Sequence, residues 1–183
     1  MNLAALVPVV AYFFWRRKPA PITARQLIIL GVFAMAFGFL EATVVAYLRA
    51  AAGLLPGYRG TLSDVIQLSH QPQATAEIPA SLLTLEVLRE AATLIMLSCA
   101  ALLVSPKPRV CAAAFLWTFA IWDIVYYASL WATIRWPHSM GDPDVLFLIP
   151  EPWFAPVWFP VLVSALALAA VLLTRSRAED VTN

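Results

Sequence analysis

Four long apolar runs constrain the fold of this chain more than any other feature of its sequence. They cover approximately residues 27–48, 82–104, 111–133 and 154–174. At about 1.5 Å of rise per residue, each run can form a helix that crosses the roughly 30 Å hydrocarbon core of a bilayer. The sequence therefore predicts an all-α, polytopic integral membrane protein, a four-transmembrane-helix bundle in which residues 1–183 form a single membrane domain.

The composition points to the same class. Hydrophobic residues make up 62% of the 183 residues and charged residues only 13%, whereas a soluble domain is about half apolar and about a quarter charged. Membrane lipids are therefore the expected surroundings of much of the surface. The net charge is +1 and the basic residues are scattered along the chain, which argues against a nucleic-acid partner.

A shorter apolar run precedes the four long ones. Residues 3–15 would form a helix of about 20 Å, which is short for a membrane span. The run lacks the basic leading segment and the small-residue cleavage site of a secretory signal. We predict a short helix that lies in the membrane interface or is partly inserted, with a short fifth span as the alternative.

Lysine and arginine predict the orientation. Both ends of the four-span unit and the short turn after the second span carry eight basic residues, namely Arg16, Arg17, Lys18, Arg25, Lys107, Arg109, Arg175 and Arg177. The opposite side carries three, namely Arg49, Arg59 and Arg135. By the positive-inside rule, both flanks of the unit face the cytoplasm, and residues 50–81 and 135–153 form outer loops. The compact chain and short inner loops favour a bacterial inner (plasma) membrane.

The second outer loop is rich in proline just before the last span. Proline at this density is incompatible with a regular helix, so we expect the chain to enter that span in an extended conformation. The apolar residues 145–149 are expected to dip back toward the bundle as a lid.

Four carboxylates lie inside the apolar runs, namely Glu41, Glu86, Glu90 and Asp123, and Arg89 lies among them. An ionised side chain at bilayer depth costs about 2.5–3.5 kcal/mol on insertion scales, so such residues face protein or water and are commonly functional. Counting residues along each helix places all four in the outer half of the membrane. We therefore predict that three helices bring them together in one buried acidic site.

Helical spacing supports such a site. Glu86 and Glu90 are four residues apart and share a face of their helix. Tyr126 and Tyr127 share a face with Asp123, and their hydroxyl groups can donate hydrogen bonds to a carboxylate. Glu41 lies beside a row of small residues that permits close helix packing, and small residues of the last span are expected to face it. The two sets are Ala34, Gly38 and Ala42, and Ser164, Ala165, Ala169 and Ala170.

Unless Arg49 and Arg135 reach in to neutralise it, the charge of this cluster leaves two chemical interpretations open. A divalent metal ion would neutralise it, held by carboxylate oxygens and by one loop histidine, namely Glu41, Glu86, Glu90, Asp123 and His138. A metal-free acid–base site would instead use a protonated acid, a carboxylate held by arginine, and aromatic neighbours. Its catalytic set would be Glu41, Glu86, Arg89, Glu90, Asp123, Tyr126 and Tyr127, acting on a lipid-like or other apolar substrate. Neither histidine lies in an apolar run, which excludes a haem b held by two intramembrane histidines.

Other interpretations give the charges a structural role. In one of them, Arg89 forms an ion pair with Glu86 or Glu41 that only fixes helix register. The chain would then be a small accessory subunit of a larger membrane complex. A proton- or ion-coupled carrier is a further alternative, which would require a homo-oligomer because four spans are few for a complete pathway.

Overall fold

A computed structural model describes residues 6–16, 20–51, 80–147 and 153–182 of the chain. The elements in chain order are α1 (Leu6–Trp15), α2 (Ala24–Ala51), α3 (Ala80–Val104), α4 (Pro108–Ile134), β1 (Pro143–Phe147), β2 (Trp153–Pro156) and α5 (Trp158–Thr182). Helices α2 to α5 each contain a stretch that is long and apolar enough to cross a membrane. The four predicted apolar helices are thus confirmed, and most of the first outer loop lies outside the described residues.

Local sequence signals account for the ends of two helices. At the start of α2, the Thr23 hydroxyl accepts a hydrogen bond from the Gln26 backbone N–H, and the Gln26 side chain accepts one from the Thr23 backbone N–H. This reciprocal arrangement is a capping box. Helix α4 has Pro108 at its first position and ends at Ile134; the residue that caps it, Arg135, donates its N–H to the Trp131 carbonyl and has a left-handed backbone (φ 56°) that stops the helix.

Helix α4 is the central element, since it packs against α2, α3 and α5. It approaches α2 closely at Gly38, where an added Cβ would lie only 2.6 Å from the Trp122 carbonyl oxygen. Ala34 and Ala42, one turn to either side, are both fully buried. The row of small residues predicted on α2 is therefore a packing surface.

The partner of that row differs from the expectation. Helix α4 covers it, whereas Ala165 and Ala169 of α5 are exposed. The reason is that α5 packs on a different side of α4, where Ser164 and Ala170 are buried. The prediction that the last helix faces the small residues of α2 was wrong.

The short first helix forms, and it packs against α5. Its last residue, Trp15, is 2% exposed in an apolar cluster with Val110, Ala114 and Val171. We call this end of the bundle, where α3 turns into α4, the basic end. The depth of α1 in a membrane remains a prediction.

At the opposite end, which we call the hairpin end, β1 and β2 pair antiparallel with Asp144 opposite Ala155. The extended approach to the last helix is thus confirmed, but the helix begins at Trp158 rather than at residue 154. Residues 145–147 belong to β1, and Val145 is exposed because successive side chains of a strand point to opposite faces and its neighbour Asp144 bonds to Tyr127 of the bundle. The remainder of the predicted lid, residues 148–149, lies outside the described residues.

Candidate functional site

Arg89 forms the centre of a buried ion-pair cluster between α2 and α3. Its guanidinium pairs with Glu41 of α2 and with Glu86 of its own helix, and its Nε donates to Glu86 Oε2 at 2.9 Å. Thr93, one turn further along α3, donates its hydroxyl hydrogen to Glu41 Oε1 at 2.7 Å. Glu41 is only 4% exposed, so its carboxylate depends on these partners for the interactions that water would supply.

The predicted ion pair of Arg89 with Glu86 or Glu41 is present, and both acids take part in it. Two carboxylates share one guanidinium, so these three side chains carry a formal charge of −1 when both acids are ionised. The pairing joins α2 to α3 directly. Removing the arginine would leave both carboxylates without their cation at low dielectric, which is costly.

Three more side chains surround the ion-pair cluster. Glu90, which is 6% exposed, and Tyr126 of α4 both interact electrostatically with Arg89. Trp122 stacks on Tyr126 with the ring centroids 6.0 Å apart. The Trp122 indole N–H is buried and has no hydrogen-bond acceptor among the described residues. It is therefore a donor available to a polar atom of a ligand.

A second polar cluster, the hairpin cluster, lies between α4, α5 and the β-hairpin. Asp123 of α4 is 6% exposed, and its Oδ2 accepts a hydrogen bond from the Ser164 hydroxyl of α5 at 2.8 Å. One turn further along α4, the Tyr127 hydroxyl donates to Asp144 Oδ2 of β1 at 2.7 Å. Asp123 and Asp144 interact electrostatically with each other and with Tyr127. The cluster therefore contains two carboxyl groups, each held by its own hydroxyl donor, at positions about one helical turn apart along α4.

The two clusters are neighbours across α4. Tyr126 belongs to the first and Tyr127 to the second, and their rings meet edge to face with centroids 5.2 Å apart. The predicted carboxylates thus occur at one level of the bundle but form two groups. Glu41 and Glu86 meet at Arg89, whereas Asp123 is bonded to α5. The Tyr127 hydroxyl, expected near Asp123, bonds to Asp144 instead.

The residues suggested for a metal site do not form one group. Among the described residues, no three His, Cys, Asp or Glu side chains lie together in a way that could hold a metal ion. His138 is exposed in the loop after α4, where its backbone N–H donates to Asp142 at 2.7 Å. Arg89 lies where the metal hypothesis needed a cation between Glu41 and Glu86.

Asp142 shapes that loop. Its carboxylate accepts hydrogen bonds from the Ser139 hydroxyl at 2.6 Å and from the His138 backbone N–H. The bond from Ser139 is the main cause that lowers the pKa of Asp142 below its usual value. Asp142 is thus a turn former, whereas Asp144, two residues later, belongs to the hairpin cluster.

Three residues of the clusters were not among the predicted site residues, namely Thr93, Asp144 and Ser164. Thr93 could have been found, because it lies three residues from Glu90 and seven from Glu86 on one helical face. Ser164 was recognised only as a small residue. Asp144 could not be placed, because a contact from a loop to the middle of a helix leaves no periodic signal in the sequence.

No protein-family model, curated protein or solved structure matches the chain. The chemistry open to the chain follows from its side chains. The ion-pair cluster holds a paired arginine and suits a positioning role. The hairpin cluster holds two carboxyl groups beside a hydroxyl donor, which suits proton transfer.

Proposed function

We propose that this chain is a multi-pass protein of a bacterial inner membrane, with α2 to α5 crossing the bilayer. Its large apolar side chains face outward along the helices: Ile28 is 65% exposed, Val32 63%, Ile95 62% and Leu103 89%. Exposed apolar surface on this scale would be unfavourable in water and suits contact with lipid. The positive-inside rule places the basic end in the cytoplasm and the hairpin end outside.

Within that membrane, the function that the geometry supports best is acid–base catalysis on a lipid-like substrate. The observation that carries this proposal is geometric: Asp123 and Tyr127 lie one turn apart on α4, and the Tyr127 hydroxyl bonds to Asp144 of the hairpin. Enzymes of this kind need one group that gives a proton and another that takes one within a site that excludes water. A buried Asp123 next to a half-buried Asp144 offers two such groups in different surroundings.

The other predicted residues have supporting roles in this proposal. Arg89 holds Glu41 and Glu86 and so fixes α3 against α2 as a positioning residue. Tyr126 joins the two clusters, and the unpaired Trp122 N–H can bind a hydroxyl or carbonyl oxygen of the substrate. An apolar substrate would reach the site from the outer leaflet. Its reacting atoms would lie against Asp123.

Hydrogen–deuterium exchange into lipids tests this proposal and identifies the substrate in the same measurement. Membranes that contain the protein are incubated in D2O with a bacterial lipid extract, and the lipids are analysed by mass spectrometry. Acid–base chemistry at carbon transfers solvent deuterium to the substrate, so one lipid species should gain mass. Asp123→Asn should abolish this gain while the protein remains inserted.

Asp142→Asn is the matched control, because Asp142 is an aspartate of the same outer segment that lies outside the hairpin cluster. It should leave deuterium incorporation unchanged. If no lipid species gains mass with the wild-type protein, the enzyme proposal fails. Stoichiometric metal on elemental analysis would instead favour the metal hypothesis, and co-purification of a defined larger partner would favour an accessory subunit.

A further inference from the structure

The basic end of the bundle contains an apolar groove that is separate from both polar clusters. It lies between α1 on one side and the end of α3 and the start of α4 on the other, and its volume is about 900 Å³. This is near the upper end of the range for small-molecule sites, about 300–1,000 Å³. The side chains that line it include Val10, Phe14, Leu102, Ala112 and Leu116.

The groove has an apolar interior and a charged rim. Arg109, in the first turn of α4, lines it with its guanidinium 4.9 Å from the centre of the Phe14 ring. No carboxylate of the described residues pairs with Arg109. Arg109 is thus a cation held by an aromatic ring beside an apolar cleft.

The surroundings of the rim are also positive. Lys107 is exposed at the N-cap of α4, which has no side-chain cap, so the helix adds the partial positive charge of its N-terminus. Arg16 and Arg25 lie at the same end of the bundle. The acidic residues whose side chains the structure describes all belong to the hairpin half of the bundle or to its loop.

We propose that this groove binds an acyl chain of an anionic phospholipid whose phosphate pairs with Arg109. The apolar walls match the hydrocarbon chain, and a groove on the side of the bundle can be entered from the bilayer by lateral diffusion. The charge at the rim selects the headgroup, since basic residues near the membrane surface attract anionic lipids. The lipid would fill the space between α1 and α4 and fix α1 on the bundle.

Native mass spectrometry of the purified full chain tests the proposal. The protein is exchanged into mild detergent with equal amounts of phosphatidylglycerol and phosphatidylcholine that carry identical acyl chains. The wild type should retain one phosphatidylglycerol in preference to phosphatidylcholine. Arg109→Gln should reduce this preference about fivefold, which corresponds to about 1 kcal/mol.

Arg135→Gln is the matched charge control. Arg135 lies at the hairpin end and contacts a ring in the same manner, 4.9 Å from the centre of Trp131. Its replacement should leave the lipid preference unchanged. An equal loss of lipid preference in both variants would show a general charge effect and would overturn the proposal. The absence of any headgroup preference in the wild type would also overturn it.

A second pair of variants tests the groove itself. Ala112→Phe introduces a ring into the groove, whereas Ala132→Phe places the same ring on an exposed site of α4 away from it. Lipid retention should be lost in the first variant and kept in the second, with thermal unfolding showing that both fold. Retention in Ala112→Phe, or a bound second copy of the chain in place of lipid, would refute the proposal.

Discussion

The close approach of α2 to α4 at Gly38 gives a quantitative prediction. An alanine Cβ there would lie 2.6 Å from the Trp122 carbonyl oxygen, whereas ordinary contact begins at 3.4 Å. The two helices would therefore have to separate by about 0.8 Å (3.4 − 2.6). The obstacle is backbone on a rigid helix, so no side chain can rotate away to relieve it.

The loss of stability in Gly38→Ala can be worked out by comparison with a second glycine of the same helix. Gly31 also faces α4, but a Cβ there would lie 3.5 Å from the Ile121 Cδ1 and would make an ordinary contact. Both substitutions gain the same helix propensity, up to about 1 kcal/mol. Only Gly38→Ala adds the cost of overpacking, about 1–3 kcal/mol. The free energies of unfolding of the two variants should therefore differ by about 2 kcal/mol, with Gly38→Ala the less stable.

The assay is unfolding in mild detergent by titration with sodium dodecyl sulfate, followed by circular dichroism. Gly31→Ala should match or exceed the wild type, and Gly38→Ala should unfold at a lower denaturant fraction. Equal stability of the two variants would show that the helices do not approach each other at Gly38 as described. Because Glu41 is three residues away, the separation should also weaken the ion-pair cluster.

Other contacts lead to further predictions. Arg89→Leu should destabilise the bundle by about 3–5 kcal/mol, because it leaves the buried Glu41 and the half-buried Glu86 without their cation; adding Glu41→Gln should restore part of that loss in the same titration. Tyr127→Phe should lower the free energy of unfolding by about 1 kcal/mol and speed backbone hydrogen exchange in β1. Unchanged exchange would mean that the bond to Asp144 does not hold the hairpin. Hydrogen bonds lower the pKa of Asp142, so its carboxylate stabilises the folded state above about pH 4. This stabilisation is lost as the pH falls through the folded-state pKa. NMR should show the His138 backbone N–H signal shifting as Asp142 is protonated, and Asp142→Asn, which keeps a side-chain acceptor in the turn, should remove that pH dependence.

The helices were predictable from the sequence because each long apolar run must satisfy its own backbone hydrogen bonds, and a helix does so locally. The capping box at Thr23 and Pro108 at the start of α4 are equally local signals. The start of the last helix was misplaced by a few residues. Residues 154–156 are apolar like the helix that follows, but they pair with β1 as a strand.

The arrangement of the charges was only partly predictable. Membrane depth can be counted along each helix, so the common level of Glu41, Glu86 and Asp123 could be inferred. Rotation about the helix axes decides which side chains meet, and it depends on packing between helices. The row of small residues indicated which face of α2 packs closely, but nothing in the sequence indicated that its partner would be the backbone of α4 at Trp122.

The two clusters also constrain how the chain is made. Glu41 obtains its guanidinium from α3, and Asp123 obtains its hydroxyl from α5, so each acid precedes its partner in the order of synthesis. Membrane helices are generally described as inserting one by one and associating afterwards. If α2 left the translocon before α3, Glu41 would enter the lipid without its cation. If the helices cross the bilayer as proposed, the translocon should therefore retain α2 until α3 has emerged from the ribosome, and the helices should be released in groups.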